Sequence, residues 1–330
     1  MMKQLARRPI LSAAVLGVLG MLAGPAQAQS ADDYPNRQIR ILVGFSAGGA
    51  TDLSARLIAR KLSERLGQSV VVENRPGAGG SIAANMVAKA PADGYTLLYT
   101  SSSLAINAAL YKTLPFNPVT DFQPISTVVT TLNLLMAHPS VPARSAKEFI
   151  DYVKANPGQV SMATPGVGSS GHMAQVLFTS TADIKVNHVF YKGTNDALRD
   201  LASGEVKSTV DAVTAYLPFL KNGSIKAICV GDVKRGQLLP DVPTCDESGL
   251  PGYAVRSWQG VLTTAQVPRP IVDRLNREIN AILKSPDTIQ HMQAGGARPL
   301  GGTPEEYATM IEQDIAKLNE LVTIAGIPRQ

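Results

Sequence analysis

Short apolar runs that read as strands alternate with longer stretches of helical spacing through most of this 330-residue chain. Gln38 to Val43 reads as a strand, Phe45 to Gly49 as a glycine-containing turn, and Ala50 to Leu66 as a helix. That helix carries Leu53, Leu57, Ile58, Leu62 and Leu66 at helical spacing. Gly67 supplies a left-handed stop that costs glycine little. Val70 to Glu73 and Tyr95 to Thr100 follow as strands, with a helix from Gly79 to Ala90 between them. Strands separated by helices of this length predict βαβ units and a parallel sheet.

The alternation resumes in a second block. Strands are expected over 133–137, 160–163, 186–191, 208–213 and 225–231, and helices near 146–155, 170–179, 197–203 and 217–222. Ser145-Ala146-Lys147-Glu148 has the form of a capping box. An extended stretch over 253–264 leads to three closing helical segments. Ser285-Pro286 opens one of them and Thr303-Pro304-Glu305-Glu306 another. No internal repeat or low-complexity tract is visible. At 45% hydrophobic and 17% charged, the chain can bury two ordinary cores, and disordered, collagen-like and coiled-coil readings fail.

The first 28 residues stand apart from this pattern. Lys3, Arg7 and Arg8 precede an apolar run from Ile10 to Ala23, and Ala26-Gln27-Ala28 follows. This is the layout of a secretory signal peptide, with cleavage expected near Ala28. The apolar run is shorter than the ~20 residues a membrane span requires. Arg7-Arg8 also fits a twin-arginine export signal, and the ordinary export route is the simpler reading.

Removing that segment leaves 28 basic residues against 26 acidic ones, so the formal +5 of the whole chain becomes about +2. The remaining bases alternate with acids along helices, and nucleic-acid binding loses its electrostatic footprint. The expected fold class is thus α/β, a two-lobed clamshell of the periplasmic binding type with each lobe a mostly parallel sheet flanked by helices. Lobe I comprises residues 31–130 plus 255–330, and lobe II residues 131–254.

Two strand-to-helix loops carry the candidate chemistry. In Phe45-Ser46-Ala47-Gly48-Gly49-Ala50-Thr51-Asp52, the glycines allow close backbone approach and the helix start offers free N–H groups. A plain tight turn capped by Thr51 or Asp52 reads equally well. The segment Thr164-Pro165-Gly166-Val167-Gly168-Ser169-Ser170-Gly171-His172 makes the same passage in the second block. Its G-x-G-x-x-G lacks the acidic residue that dinucleotide binding expects about 20 positions later. Paired across a cleft, the two helix starts would hold a small anion through N–H groups and the hydroxyls of Thr51, Thr164, Ser169 and Ser170.

Enzyme readings fare poorly. There is no G-x-S-x-G elbow, and His138, His172, His188 and His291 have no metal-ligand spacing. No cofactor or metal is expected. Asp211, ending an apolar strand, reads as a ligand contact or a partner for loop backbone. Cys229 and Cys245 fit a structural disulfide or two buried thiols alike. Trp258, on the last crossover, is a candidate reporter of lobe closure.

Segments along nearly the whole chain resemble the Bug family, the extracytoplasmic substrate-binding proteins of tripartite tricarboxylate transporters. They include the Phe45 to Asp52 loop, Glu73-Asn74-Arg75-Pro76-Gly77, Asp93-Gly94-Tyr95-Thr96, Tyr191-Lys192-Gly193-Thr194 and Leu239-Pro240-Asp241-Val242-Pro243-Thr244. The resemblance implies a monomeric periplasmic receptor that closes on a small carboxylate and serves membrane permease subunits. It implies that residues 45–52 and 164–170 grip the carboxylate, partly through water. It also implies that Ser101, Ser102, Ser103 and Asp211 line the cleft. A neutral amide, an aromatic acid, or a sensing role with a signalling partner are the alternatives. The chain departs from the family pattern at Ser46-Ala47, where prolines are common, and at Ser102, Lys207, Ala212 and the two cysteines.

Overall fold

The computed structural model describes residues 33–324 and 329, apart from 237 and 256. The export segment expected over residues 1–28 lies outside them. Among the described residues, no helix is long and apolar enough to cross a membrane.

The chain begins as the alternation predicts. Strand β1 (Ile39–Val43) leads to helix α1 (Ala50–Leu66), then β2 (Val70–Asn74), α2 (Ser81–Ala88) and β3 (Thr96–Ser101). Gly67 closes α1 in the left-handed region at φ 66°, and its N–H bonds Ser63 O. Leu57, Ile58, Leu62 and Leu66 face the core, while Leu53 is 43% exposed near the helix start. α2 begins two residues later than expected, because a short 3-10 turn at Ala78–Gly80 precedes it.

Some elements escaped the pattern. Helix α3 (Ser103–Leu110) buries Leu104, Ala105, Ile106, Asn107, Ala109 and Leu110, so it shows no polar face and hence no helical periodicity. Strand β4 (Phe122–Thr131) contains Pro124, which sits beside a register shift where a missing N–H is tolerated.

From β4 the chain crosses at Leu132 into a second sheet. Its elements are β5 (Asn133–Ala137), α4 (Ala146–Ala155), β6 (Ser161–Thr164), α5 (Ser170–Thr181), β7 (Asn187–Phe190), α6 (Thr194–Ser203), β8 (Ser208–Ala212), α7 (Leu217–Lys221) and β9 (Lys226–Val230). Ser145 caps α4 by accepting from Glu148 N at 3.1 Å. The chain returns through β10 (Ser257–Thr264) and ends in α8 (Arg269–Leu283), α9 (Pro286–Ala294), β11 (Ala297–Pro299) and α10 (Pro304–Ile324). Thr303 and Glu306 form a reciprocal capping box at the last helix, with bonds of 3.1 and 2.8 Å.

The first sheet has the order β11-β4-β10-β3-β1-β2 and the second β7-β6-β8-β5-β9. Both are mixed, which corrects the expectation of mostly parallel sheets. β1 pairs in parallel with β2 and β3, and β6 with β7 and β8, as βαβ units must. The strands next to the crossings run the other way: β10 is antiparallel to β3 and β4, and β5 to β8 and β9. A chain that leaves one sheet and re-enters it from the second arrives from the opposite end, so the returning strand opposes its neighbours.

Trp258 lies in the core beneath α10, edge-on to Tyr307, with its indole N–H donating to Asp314. Cys229 and Cys245, 16 positions apart, are bonded in the buried core that includes Phe149 and Phe178. A closed loop of this length is worth about 3 kcal/mol in the chain-entropy account. Replacing both cysteines with alanine is expected to lower the unfolding free energy by about 2–4 kcal/mol in urea titration. Reductant should give the wild type a matching loss and leave the variant unchanged.

Candidate functional site

Both glycine-containing loops leave the carboxyl ends of parallel strands, β1 and β6, where α/β sheets place ligands. Each loop feeds a helix start. The first intrahelical bonds run from Leu53 N to Gly49 O in α1 and from Met173 N to Ser169 O in α5. The N–H groups of Ala50, Thr51, Ser170 and Gly171 precede those bonds and have no acceptor within their helices.

The two helix starts meet at one cavity of about 30 Å³. That is room for about two waters, since one needs roughly 10–15 Å³. Of the residues singled out in the sequence, Phe45, Gly49, Ala50, Thr51, Ser101, Ser169, Ser170 and Asp211 line it. Ser46 and Pro165, inside the two loops expected to grip the ligand, line it as well, as do Thr194 and Ala212, while Thr131, Ser257 and Gln259 were not singled out in the sequence. Thr131, Ser257 and Gln259 are polar positions buried in strands, and that combination was the missed clue. Thr131 Oγ1 is buried without a hydrogen-bond partner among the described residues. Among the described lining residues there is no Lys, Arg or His.

The remaining candidates do other work. Asp52 is 1% exposed and has both oxygens occupied. Oδ2 accepts from Gly48 N at 2.8 Å and Arg56 Nε at 2.9 Å, and Oδ1 from Asn74 Nδ2 at 2.8 Å. Burial alone would raise its pKa. The hydrogen bonds from Arg56, Gly48 and Asn74, with the Arg56 charge, outweigh burial and hold the carboxyl below its ordinary range. Asp52 therefore shapes the loop from behind. Gly48 at φ 82° turns the chain, and Ala47 O accepts from the Asn195 side chain of α6.

Thr164 is fully buried against Gln175, behind the cavity wall. Gly166 and Gly168, at φ 140° and 75°, carry the loop round to Ser169. Ser169 caps α5 by accepting from His172 N at 3.1 Å, while His172 Nδ1 accepts from Gly168 N at 3.2 Å. Burial, with repulsion from His188, lowers the His172 pKa to about 4, so this ring is neutral at pH 7. Ser103 is tied to Ser101, its hydroxyl 3.0 Å from Ser101 Oγ. Ser102 lines a second cavity of about 100 Å³, walled in part by Ile106, Met173, Leu177 and Leu318. The two cavities share Ser170 and Ser257. Lys207 bonds Gly204 O at 2.9 Å, just before the start of β8 and away from Asp211 near its end.

Contacts between the two sheets' loops close the cavity. Ser46 Oγ donates to Lys192 O at 3.2 Å. A Cβ on Gly79 would lie 2.6 Å from Val167 O, and one on Gly168 would lie 2.0 Å from Asn107 Oδ1. Asn107 Nδ2 donates to Gly79 O and Ser81 Oγ, both at 3.0 Å.

Comparison with known proteins decides the family. Residues 54–327 match the model of the tripartite tricarboxylate transporter family receptor. The chain belongs to this family. BugT of Bordetella pertussis is 36% identical over 315 residues, covering 95% of this chain and 97% of that one. Rpa4515 of R. palustris, solved with adipate, superposes with a TM-score of 0.87 at 38% identity, over 90% of this chain and 99% of that one. MatC of Rhodopseudomonas palustris, solved with bound malate, gives 0.84 at 31% identity, over 88% and 100%. The family is one of receptors rather than enzymes, and the two solved relatives share the two-lobed α/β fold.

Two outcomes test the site's construction. Asp52→Asn is expected to cost about 1–3 kcal/mol at neutral pH, through loss of charge-assisted bonds. Because the folded pKa is lowered, that stabilisation is full above about pH 4 and fades as pH falls through the folded value. Denaturant titrations across pH should show the two proteins converging in acid. Gly168→Ala would force a methyl into Asn107 and strain a left-handed backbone. Small-angle scattering should find this variant more expanded than the wild type, with saturating ligand failing to compact it.

Proposed function

We propose that this chain is a periplasmic receptor that closes around a small organic acid and delivers it, as a monomer, to the permease subunits of a tripartite tricarboxylate-type transporter. Convergence of two helix N-termini on one cavity carries the reading. Ala50 and Thr51 approach from one side and Ser170 from the other, with Thr131 Oγ1 buried and unpartnered beside them among the described residues. Backbone N–H groups and aligned helix dipoles favour a carboxylate there without any cation.

The ligand-binding residues are then Phe45, Gly49, Ala50, Thr51, Ser101, Thr131, Ser169, Ser170 and Ser257. The small cavity suits one carboxylate head with bridging water. The adjoining, partly apolar cavity suits the rest of the acid. The adipate and malate bound by Rpa4515 and MatC are acids of this class. The moving bodies are residues 31–130 with 255–330 and residues 131–254. They hinge where Asn133 Nδ2 donates to Val255 O at 3.0 Å and to Ser257 Oγ at 3.1 Å. Ligand binding shifts the population toward the closed form because only that form presents both helix starts at once.

A neutral amide is the second reading, favoured by Asp211, whose carboxylate is an acceptor in the cavity wall. A thermal-shift screen of mono-, di- and tricarboxylates with their amides separates the two. A ligand at 100 times its Kd adds about 2.7 kcal/mol of stability. Acids are expected to shift the melt, and a screen in which only amides do so overturns the carboxylate reading. Thr51→Ala and Ser170→Ala are each expected to weaken the best acid about 3- to 10-fold, the worth of one hydrogen bond. Unchanged affinity in both would remove these two hydroxyls from the ligand contacts.

A further inference from the structure

Asp211 is an acid in the wall of a cavity read here as an anion site. Its side chain lines that cavity and is 4% exposed. Oδ1 accepts from Ala212 N at 2.8 Å, and Oδ2 accepts from the hydroxyls of Thr194 and Tyr216, both at 3.1 Å. A carboxylate has about four acceptor positions, so these three donors leave one on Oδ1 unused. The first turn of α5 lies against that oxygen, since a Cβ on Gly171 would be 3.0 Å from it.

The groups around Asp211 bring no compensating charge. In its own sheet, β5 places Leu134 opposite it, and neither β5 nor β6 carries a titratable side chain. Tyr216, on the turn after β8, is held neutral by burial. On α5, His172 is neutral at pH 7 and packs against His188 and Phe190. On α6, Arg199 is paired with Asp196 and Asp200 on an exposed face. Across the cavity, Asp52 of α1 is paired with Arg56. Burial pushes the Asp211 carboxyl up to about 6, against the three hydrogen bonds that favour its ionised form.

A second carboxylate brought into this cavity, which has no cation among its described lining residues, disfavours the ionised form of Asp211 still further. We infer that the receptor takes up its carboxylate ligand together with one proton from solvent, held between the ligand's carboxylate and Asp211 Oδ1. Asp211 then donates to the ligand through its last free position, and the pair carries one negative charge in place of two. This makes Asp211 the residue that selects an acid by its proton. The inference rests on the carboxylate reading given above, and its test distinguishes the two.

Calorimetric titration of the full chain with adipate between about pH 6.5 and 8.5 keeps both ligand carboxyls ionised in free solution. Performed in HEPES and in Tris, whose ionisation enthalpies differ, it counts the protons taken up. The expected result is uptake approaching one proton per ligand and an affinity that falls as pH rises, by up to about tenfold per pH unit. Asp211→Asn, whose amide is a permanent donor, should bind with level affinity across the range. A wild type with level affinity and no buffer dependence overturns the inference and leaves the carboxylate reading standing. A variant that keeps the wild-type slope also overturns it, because the proton then sits elsewhere. The wild-type proton count stands alone if the variant fails to fold. If no acid of the thermal-shift screen binds at any pH while amides do, the carboxylate reading falls and the inference falls with it.

Discussion

Loops from two different sheets can enclose a cavity this small only where their backbones pass closer than side chains allow. Gly79 and Gly168 meet that requirement, with Val167 O and Asn107 Oδ1 standing where their Cβ atoms would be. Asn107 belongs to α3, a helix buried on nearly every face, and it ties the same seam to Gly79 and Ser81. Its Oδ1 remains buried and unpaired among the described residues, a cost the close approach of Gly168 imposes. The cavity lies next to this seam because both loops continue directly into helices. Wherever the loops close, the free N–H groups of α1 and α5 are brought together.

Two buried aspartates in this region show how neighbours set the role of one side chain. Asp52 has a guanidinium, a backbone N–H and an amide donor, so both of its oxygens are engaged and its negative charge is stabilised. It holds the first loop in shape and leaves the N–H groups beyond it free for a ligand. Asp211 has three neutral donors and no cation among the described residues around it, so burial dominates and Oδ1 keeps one acceptor position unused. The same chemical group is a structural anchor on one side of the cleft and a proton-responsive wall on the other. The difference lies in Arg56, one turn along the helix from Asp52 and without a counterpart near Asp211 among the described residues.

Much of the fold was legible from local pattern. The βαβ rhythm of residues 38–100, the stop at Gly67 and the caps at Ser145 and Thr303 each follow from spacing within a few residues, and the structure keeps all of them. α3 was missed because uniform burial erases the polar face that marks a helix. β4 was missed because Pro124 reads as a breaker until a register shift accommodates it. The antiparallel strands were missed because direction depends on the route of the whole chain, to which local sequence is blind.

At the site, the helix starts at Gly49 to Thr51 and Ser169 to Ser170 were evident from strand, glycine and hydroxyl in succession. Sequence by itself determined that two such starts exist, that the chain beyond residue 28 is nearly neutral, and which segments match the family pattern. Only the tertiary structure decided that Asp52 and Thr164 turn away from the cavity while Thr131, Thr194, Ser257 and Gln259 turn into it. Helix starts are local, governed by the few residues that supply or lack backbone acceptors. A cavity wall is assembled from residues as far apart in sequence as Phe45 and Gln259, and which way each side chain points is settled by the partners that packing brings within reach.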